Sequence, residues 1–395
     1  MLRAYFQANG HDGCTWYRLL QPGRALIQAG LARVALSLPG ESPDKKAADL
    51  DRCEVVFLGR VFGQALLRLV RELHECGKAV VYDADDDYFN ISPLNQAYAG
   101  LGLEEVQLEL PDGRREMLWA DLAKADQYPG LPAGRLIDLA ENQANAAALR
   151  AALAEVDAIT VTTEELAQAY RGYGPPVIIC PNCIDFELWQ PLPLHHDRNR
   201  FLVGWAGGSS HYEDLTLIRP ALAEAMENEP RMTLSLQGAY PPAILRGLDP
   251  ERVRTHGWTH PEAHPWRSAA LAPDLAVIPL VDNAFNRRKS PIKWLEYAAL
   301  GVPAICSDLP PYSPVVVHGV NGLLARNTDE WVLMLLELAA DPIGRAKLGG
   351  RALETARACY DQRTNAPLWL QALETALDRH QRGAARQSGL RQVAP

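Results

Sequence analysis

Short apolar runs alternate along most of the chain with longer stretches in which apolar residues recur every three or four positions. The short runs predict buried parallel strands, and the longer stretches predict amphipathic helices that pack on them. The predicted strands are residues 3–7, 54–58, 79–82, 158–161, 177–180, 201–205, 232–236, 253–256, 275–278 and 304–306. The predicted helices include residues 16–28, 62–76, 136–153, 164–170, 329–338, 343–360 and 366–380. This alternation is typical of a doubly wound α/β protein.

Three stretches without this pattern divide the chain. Residues 91 to about 134 are rich in Pro, Gly and acidic residues and predict an insertion or lid in a first domain, residues 1–185. Residues 186–199 predict a linker to a second domain at 200–362, and residues 363–381 a final helix. Residues 382–395 show no periodicity, so we expect a frayed tail there.

A basic loop follows the predicted strand at 275–278. The loop and the first turn of the helix after it carry Arg287, Arg288, Lys289, Ser290 and Lys293. A helix N-terminus offers free N–H groups and a favourable dipole to anions, so these cations predict a phosphate or diphosphate site. Glu296, on the second helical turn, is suited to accept hydrogen bonds from a ribose diol. The alternative is that Arg287, Arg288 and Lys289 form a solvated charged loop.

A Gly-rich turn after the strand at 201–205 predicts a second phosphate cradle. It contains Gly207, Gly208, Ser209 and His211 and leads into a helix that opens with Glu213 and Asp214. Such turns are common, so this one gains weight only beside the Lys293 loop.

The loop after the first strand carries Gly10 and Gly13, which allow close approach of the backbone to a ligand. Tyr17 and Arg18 follow it on the next predicted helix. An ordinary surface arginine is one interpretation of Arg18, and the family resemblance given below adds contact with a phosphate or an acceptor acid.

A strand ending at Tyr82 runs into the acidic segment Asp83, Asp85, Asp86 and Asp87. Four carboxylates so close together cannot all be both buried and ionised. The residues alone leave a metal site or a solvated or capping loop, and the family resemblance given below adds binding of acceptor hydroxyls or orientation of the attacking hydroxyl.

One segment resembles a known signature. Residues 289–308, KSPIKWLEYAALGVPAICSD, are similar to the nucleotide-sugar motif of GT-B glycosyltransferases, especially the large retaining family 4 (group 1). The residues that match its second half are Glu296, Ala298, Gly301, Val302, Pro303 and Ser307. Arg288 stands where the family has a first Glu that holds the sugar hydroxyls. Residues 181–189 resemble the element at the crossover between the two GT-B domains, and Trp258 matches a position that contacts the nucleotide base.

The resemblance implies two Rossmann-like domains facing across a cleft, with a C-terminal helix that crosses back onto the first. It implies transfer of a sugar from a nucleotide-diphospho-sugar to a glycan, lipid-linked, protein or small-molecule acceptor, with retention and without a metal or other cofactor. The predicted donor-binding residues are Gly207, Gly208, Ser209, His211, Trp258, Arg287, Arg288, Lys289, Ser290, Lys293 and Glu296. The predicted catalytic residues are Asp85, Asp86 and Arg18, and the predicted acceptor-side loop contains Gly13, Tyr17, Asp83 and Asp87. The alternatives are a nucleotide-sugar epimerase of the same fold, a non-catalytic nucleotide-sugar-binding protein and a transferase acting on a nucleic-acid base.

Composition narrows these classes. The chain has 395 residues and is 48% hydrophobic, which suits two α/β domains of ordinary size. No apolar run reaches the ~18 residues of a membrane span, and no signal peptide is expected. A net charge of −9 argues against general nucleic-acid binding. Seven scattered cysteines fit a reducing compartment, so we expect a cytoplasmic protein, and the lone Cys180–Cys183 pair is weak support for zinc.

Overall fold

The structure, a computed structural model, describes residues 1–8, 10–93, 95, 97–109, 115–119, 135–190 and 199–393. Its strands are β1 (Arg3–Gln7), β2 (Arg33–Ser37), β3 (Val55–Gly59), β4 (Ala79–Ala84), β5 (Val106–Glu109), β6 (Arg115–Trp119), β7 (Arg135–Leu136), β8 (Ala158–Val161), β9 (Val177–Ile179), β10 (Phe201–Gly207), β11 (Met232–Gly238), β12 (Val253–His256), β13 (Leu275–Ile278), β14 (Ala304–Ser307) and β15 (Leu323–Ala325).

The α-helices are α1 (Gly13–Thr15), α2 (Gln21–Gln28), α3 (Pro43–Arg52), α4 (Gly63–Glu75), α5 (Tyr98–Leu101), α6 (Leu139–Glu155), α7 (Glu164–Tyr170), α8 (Tyr212–Leu217), α9 (Arg219–Asn228), α10 (His264–Leu271), α11 (Ala284–Arg287), α12 (Ile292–Ala299), α13 (Thr328–Ala340), α14 (Pro342–Tyr360) and α15 (Gln362–Val393). These elements form two compact units. Unit 1 comprises Met1–Tyr88, Gln143–Asp185 and Asp361–Pro395, and unit 2 comprises Phe89–Asn142 and Phe186–Tyr360.

Unit 1 is built on a six-stranded sheet in the order β2-β1-β3-β4-β8-β9. Every pairing in it is parallel. Parallel sheets are covered on both faces, which explains why β3 and β4 are buried along their whole length. The final helix α15 contributes Trp369 and Leu373 to the same apolar cluster as Phe57 and Val81, as expected for a helix that crosses back onto the first domain.

Unit 2 contains a second parallel sheet, in the order β12-β11-β10-β13-β14-β15. Its core joins strand residues such as Val203, Leu234 and Val277 to Leu335 on α13. A separate three-stranded sheet, β5-β6-β7, also belongs to unit 2. The sequence pattern assigned that segment to the first domain, whereas the structure groups residues 89–142 with the second unit.

The predicted α/β architecture is confirmed, and the departures from it have simple causes. Strand β2 lies at a sheet edge and is only partly buried, and α3 buries none of its residues, so neither produced a clear apolar pattern. Helix α15 continues to Val393, beyond the predicted end of the final helix. Residues 110–114 and 120–134 of the predicted insertion, and residues 191–198 of the predicted linker, lie outside the described residues.

The helix predicted at 16–28 is interrupted. Residues Trp16–Leu20 form a π-helical segment between α1 and α2, and all five of its side chains are buried. Short π segments occur frequently at functional sites because they re-aim side chains within a helix. Here the segment includes Arg18.

All seven cysteines carry free thiols. Within the described part of the chain, no helix combines the length and the apolarity needed to cross a membrane.

Candidate functional site

The candidate donor site in unit 2 lies where the strand order of its sheet reverses. Strand β10 is central, β11 and β12 follow it on one side, and β13 to β15 follow on the other. Open α/β sheets bind ligands beyond the carboxyl ends of the strands at such a switch point. The loops after β10 and β13 carry most of the predicted donor-binding residues.

Asp214 connects these two loops. Its side chain is 1% exposed, and Oδ1 accepts hydrogen bonds from the Val281 backbone N–H and from Nδ2 of Asn286, both at 2.8 Å. The other oxygen, Oδ2, lies 2.8 Å from Nδ1 of His211. Asn286 also donates to the carbonyl of Val281 at 2.9 Å. The carboxylate therefore fixes the turn after β10 against the loop after β13.

His211 is held neutral by its surroundings. Burial, followed by the positive charges of Lys293 and Lys289, lowers the pKa of His211 to about 3. Both oxygens of Asp214 act as acceptors, so we assign the imidazole proton to Nδ1. Nε2 then presents a lone pair, which accepts a hydrogen bond from a hydroxyl but does not favour a phosphate oxygen.

Lys293 is the cation that the fold places at the switch point. Its ammonium group donates to the Ala206 carbonyl at the end of β10 at 2.6 Å and lies 5.6 Å from the centre of the Trp205 ring. Burial lowers the pKa of Lys293 to about 8, Glu296 opposes this shift, and Lys289 adds to it. A buried ammonium has lost contacts with water, so it gains from an incoming anion.

Gly207 is required for this approach of Lys293. A Cβ on Gly207 would lie 2.5 Å from the Trp205 ring and 3.1 Å from the Lys293 nitrogen. Gly208 has open space around it, and the side chain of Ser209 lies outside the described part of the structure.

Glu296 is positioned by a chain of polar contacts on its own unit. Its Oε2 lies 3.5 Å from Nε2 of His264, whose Nδ1 lies 3.3 Å from the side-chain nitrogen of Gln237. Trp189 packs edge-on against the His264 ring at 5.5 Å between centroids. The contact with His264 therefore fixes the Glu296 carboxylate on α12, and its predicted role in binding a ribose diol stays a prediction.

Arg287 does not fit its predicted role. It lies in the last turn of the short helix α11, is exposed, and is engaged by Asp282, with Nη2 2.6 Å from the carboxylate. The solvated-loop alternative describes this residue better.

The remaining predicted donor residues are spread around the same loops. Lys289 has its ammonium 4.5 Å from the Phe285 ring centre. Arg288 and Ser290 are partly buried on either side of it. Trp258 follows the edge strand β12 and is 66% exposed, with its indole edge-on to His260.

The candidate site in unit 1 also lies at a switch point, between β1 and β3. Asp12, after β1, caps α1 by accepting from the Thr15 backbone N–H at 2.8 Å. Arg60, directly after β3, reaches across with Nη1 2.5 Å from Oδ2 of Asp12. Its φ of 55° is uncommon for a residue with a side chain, and such conformations concentrate at functional sites.

Asp85 follows the neighbouring strand β4, and its negative charge interacts with the Asp12–Arg60 pair. Its carboxylate accepts a hydrogen bond from the Tyr88 hydroxyl at 2.5 Å. Burial, followed by the charge of Asp85, raises the pKa of the Cys14 thiol, so Cys14 is protonated near neutral pH. Asp86 is partly buried, and its backbone carbonyl accepts from the Tyr170 hydroxyl at 3.0 Å.

Arg18 and Asp83 are a correction to the predicted site, because they form a buried ion pair within unit 1. Arg18 is 1% exposed and Asp83 is 2% exposed, with two hydrogen bonds between them at 2.7 and 3.0 Å. The remaining guanidinium nitrogen donates to the Cys180 carbonyl and to Asn182 at 2.6 and 3.0 Å. A guanidinium with these partners cannot meet a phosphate or an acceptor acid.

Three other residues of the predicted acceptor-side loop also have different places. Tyr17 is buried in the π-helical segment, Asp87 is 1% exposed, and Gly13 is the first residue of α1. Asp83 and Asp87 of the acidic segment are thus buried, and the predicted catalytic residues Asp85 and Asp86 are partly accessible.

Sequence reasoning missed four residues that the structure places in the two candidate sites: Asp12, Arg60, Asp214 and His264. Asp12 and Asp214 did carry a signal, because each is an acid just after a strand and near a helix start. Arg60 and His264 carried none, since single Arg and His residues between elements are usually ordinary surface groups.

A family model and a curated relative each match part of this chain. Residues 200–341 match the family model for glycosyl transferases group 1. A curated relative, D-inositol 3-phosphate glycosyltransferase from Stackebrandtia nassauensis, is 28% identical over 230 residues, which are 52% of this chain and 51% of the relative. The matched region thus spans about half the length of that relative.

Solved structures match over nearly the whole chain. HepE from Anabaena, crystallised with UDP-glucose, aligns with a TM-score of 0.63 and 14% identity, over 95% of this chain and 100% of that one. Sucrose-phosphate synthase from Thermosynechococcus elongatus aligns with a TM-score of 0.60 and 14% identity, over 93% and 98%. At such identities the likeness concerns the fold. The chain has the GT-B fold, and its residues 200–341 are similar to the glycosyl transferases group 1 family.

Proposed function

We propose that this protein transfers a sugar from a nucleotide-diphospho-sugar to an acceptor, with retention of configuration and without a metal ion at the transfer site. The observation that carries the proposal is the cluster at the switch point of unit 2. There, Lys293 projects beside Gly207, and Asp214 and His211 fix the turn that faces it.

Each group in the cluster has a separate task in donor binding. Lys293 holds the diphosphate and stabilises the charge that develops as the nucleoside diphosphate departs. Neutral His211 accepts a hydrogen bond from a hydroxyl of the donor, and Glu296 accepts from the ribose. A fixed ammonium supplies the positive charge that a divalent ion supplies in metal-dependent transferases, which supports metal independence.

The acceptor side is proposed to be the cluster after β1, β3 and β4 in unit 1. Asp85 is placed to take the proton of the attacking hydroxyl, and the Asp12–Arg60 pair to position the acceptor. Retention is supported by the resemblance to retaining enzymes, and measurement of the product anomer tests it.

The donor nucleotide is best sought among uridine compounds, because HepE was crystallised with UDP-glucose. A calorimetric panel of UDP, GDP and their sugars tests the proposal, since binding to a preformed site needs no acceptor. We expect micromolar binding of at least one nucleotide sugar. Binding without any transfer to a broad acceptor panel would indicate a non-catalytic binder, in keeping with Arg288 at the position of the family's first Glu.

Replacing Lys293 by alanine is expected to weaken nucleoside-diphosphate binding about ten- to a hundredfold. A charge-assisted hydrogen bond contributes roughly 1.5–3 kcal/mol, which corresponds to that range of affinity. Calorimetry of both proteins with the same nucleotide measures the ratio. Arg287→Ala is the matched control, because that cation is exposed and already paired with Asp282, and its affinity should change less than about threefold.

The pH dependence gives a signature of the same lysine. Because the pKa of Lys293 in the free protein is about 8, its positive charge is lost as the pH rises from 7 to 9. Nucleotide affinity should therefore fall over this window in the parent protein and change less in Lys293→Ala. Equal pH profiles for the two proteins would remove Lys293 from the phosphate site.

Glu296→Gln tests the ribose contact. The change keeps the shape of the side chain but removes the charge, so we expect UDP affinity to fall about five- to twentyfold while thermal stability is retained. A 2′-deoxy nucleotide is the discriminating probe. It should bind the parent more weakly than the ribonucleotide does, and it should bind Glu296→Gln almost as tightly as the ribonucleotide does. Additive losses would show that Glu296 acts only through His264 and not on the diol.

A further inference from the structure

Three metal-ligating side chains meet in unit 1 at the edge of the sheet where strands β4 and β8 begin. His74 comes from the last turn of α4, Asp157 precedes β8, and His380 comes from α15. One ligand atom from each lies within 4.8 Å of the other two. This is the edge opposite to Asp12, Arg60 and Asp85, which follow the carboxyl ends of their strands, so the cluster is distinct from the proposed transfer site.

The distances suit a small divalent ion. Nε2 of His74 lies 2.9 Å and Nδ1 of His380 lies 3.6 Å from Oδ2 of Asp157. In a tetrahedral zinc site with bonds of 2.0–2.1 Å, two ligand atoms are about 3.3 Å apart. The observed separations fall on both sides of this value, so small side-chain adjustments would complete the geometry.

The carboxylate is also oriented as a metal ligand should be. Oδ2 of Asp157 accepts a hydrogen bond from the Val80 backbone N–H at 2.8 Å, and the Asp157 N–H donates to the Val80 carbonyl at 2.8 Å. Backbone support of this kind fixes ligating groups in metal sites. The centroids of the His74 and His380 rings lie 5.1 Å apart, and the ring planes make an angle of 39°, so neither ring blocks the access of the other to an ion.

Nearby charges do not prevent cation binding. The cluster opens into a surface pocket whose wall includes Asp378, Arg379 and Arg382. Arg382 is 3.4 Å from Asp378, and Arg379 donates to the Gly174 carbonyl at 3.3 Å, so both guanidinium groups have partners of their own.

We propose that His74, Asp157 and His380 bind one Zn²⁺ ion, with water in the remaining coordination position. Two imidazoles and one carboxylate form a common donor set for zinc. The ion replaces the hydrogen bond between His74 and Asp157. Because its ligands come from α4, the start of β8 and α15, it fixes the C-terminal helix to the sheet of unit 1. It lies at the edge of the sheet opposite to the proposed acceptor cluster, so the transfer reaction does not use it.

Calorimetric titration of the full-length, chelator-stripped protein with ZnCl₂ tests this site. We expect binding of one ion, and a rise in the midpoint of thermal unfolding of roughly 5 °C at a hundredfold excess over Kd. His380→Gln and His74→Gln should each weaken Zn²⁺ at least about tenfold. His318→Gln, which changes an exposed histidine of unit 2, should leave the affinity unchanged.

The contrary outcomes are clear. Absence of micromolar Zn²⁺ binding by the parent would overturn the site. The site would also be overturned if both cluster variants bound Zn²⁺ as tightly as the parent. The ion would then lie elsewhere, for example on the exposed thiols Cys76 and Cys359. Both variants should bind nucleotide like the parent, so failure of this proposal is separable from failure of the proposed function.

Discussion

Arg18→Met is expected to lower the free energy of unfolding by about 3–5 kcal/mol. Methionine fills much of the volume of the arginine stem, so the main loss is electrostatic. Asp83 would keep only its hydrogen bond from Thr160 at 2.6 Å and would remain buried without its cation. The Cys180 carbonyl would also lose a donor. Denaturant unfolding followed by circular dichroism measures the change.

The same unit provides a matched control for this loss. Arg3 and Glu54 also form an arginine–carboxylate pair, but at 3.5 Å and with side chains that are 52% and 38% exposed. Arg3→Met should therefore change stability by no more than about 0.5 kcal/mol. The double variant Arg18→Met with Asp83→Asn should recover part of the loss, because it no longer buries an unpaired carboxylate. A small loss in Arg18→Met, similar to that of Arg3→Met, would show that the buried pair contributes little net stability.

The fold was largely predictable because the central strands of its two large sheets are buried. The runs at β3, β4 and β13 contain only apolar residues over most of their length, as sheets covered on both faces require. Elements that bury little, such as α3, leave no such pattern. The π-helical segment could not be predicted either, because a local widening of a helix changes hydrogen bonding and leaves the apolar period almost unaltered.

The site was predictable where function depends on a local motif. Lys293 and Glu296 lie on the helix of one strand–loop–helix unit, and Gly207 ends the strand of another. In each unit the signal is local: a cation and a carboxylate near a helix start, or a glycine at a strand end. The roles of Arg18 and Asp214 depend on partners distant in sequence. Arg18 is bound by Asp83 and by the segment at 180–182, and Asp214 by the loop at 281–286. Such contacts are consequences of the tertiary fold, and no spacing along the chain reports them.

The acidic run after β4 shows this limit most clearly. The sequence pattern placed Asp83, Asp85, Asp86 and Asp87 in one acidic segment and singled out Asp85 and Asp86 as catalytic. Asp83 is still within β4 and is buried against Arg18, whereas Asp85 lies beyond the end of the strand and is partly accessible. Asp85 and Asp86 therefore remain the acceptor-side candidates, with Asp85 as the stronger one.

Asp85→Asn is expected to lower kcat of sugar transfer about a hundred- to ten-thousandfold, the usual contribution of a general base. Asparagine keeps the size of the side chain and can still accept from Tyr88, so folding and donor binding should be nearly unchanged. The assay follows nucleotide release with an acceptor found in the panel, and calorimetry measures donor affinity separately. Asp86→Asn is the neighbouring control, and its smaller effect would assign the proton transfer to Asp85. Equal turnover in Asp85→Asn and the parent would exclude Asp85 as the base.

The same assay separates a carboxylate that acts on the acceptor from one that holds a metal ion. If Asp85 acts on the acceptor, transfer should persist in excess chelator, whereas a divalent ion required for phosphate departure would make transfer stop. Chelation would also strip zinc from the His74–Asp157–His380 cluster, so the assay is run well below the unfolding midpoint and repeated with His380→Gln. Because that variant lacks the zinc ligand but keeps Asp85, it should transfer sugar with or without chelator. Activity lost on chelation and restored by Mg²⁺ or Mn²⁺, in both the parent and His380→Gln, would instead place a catalytic metal ion at the acidic run.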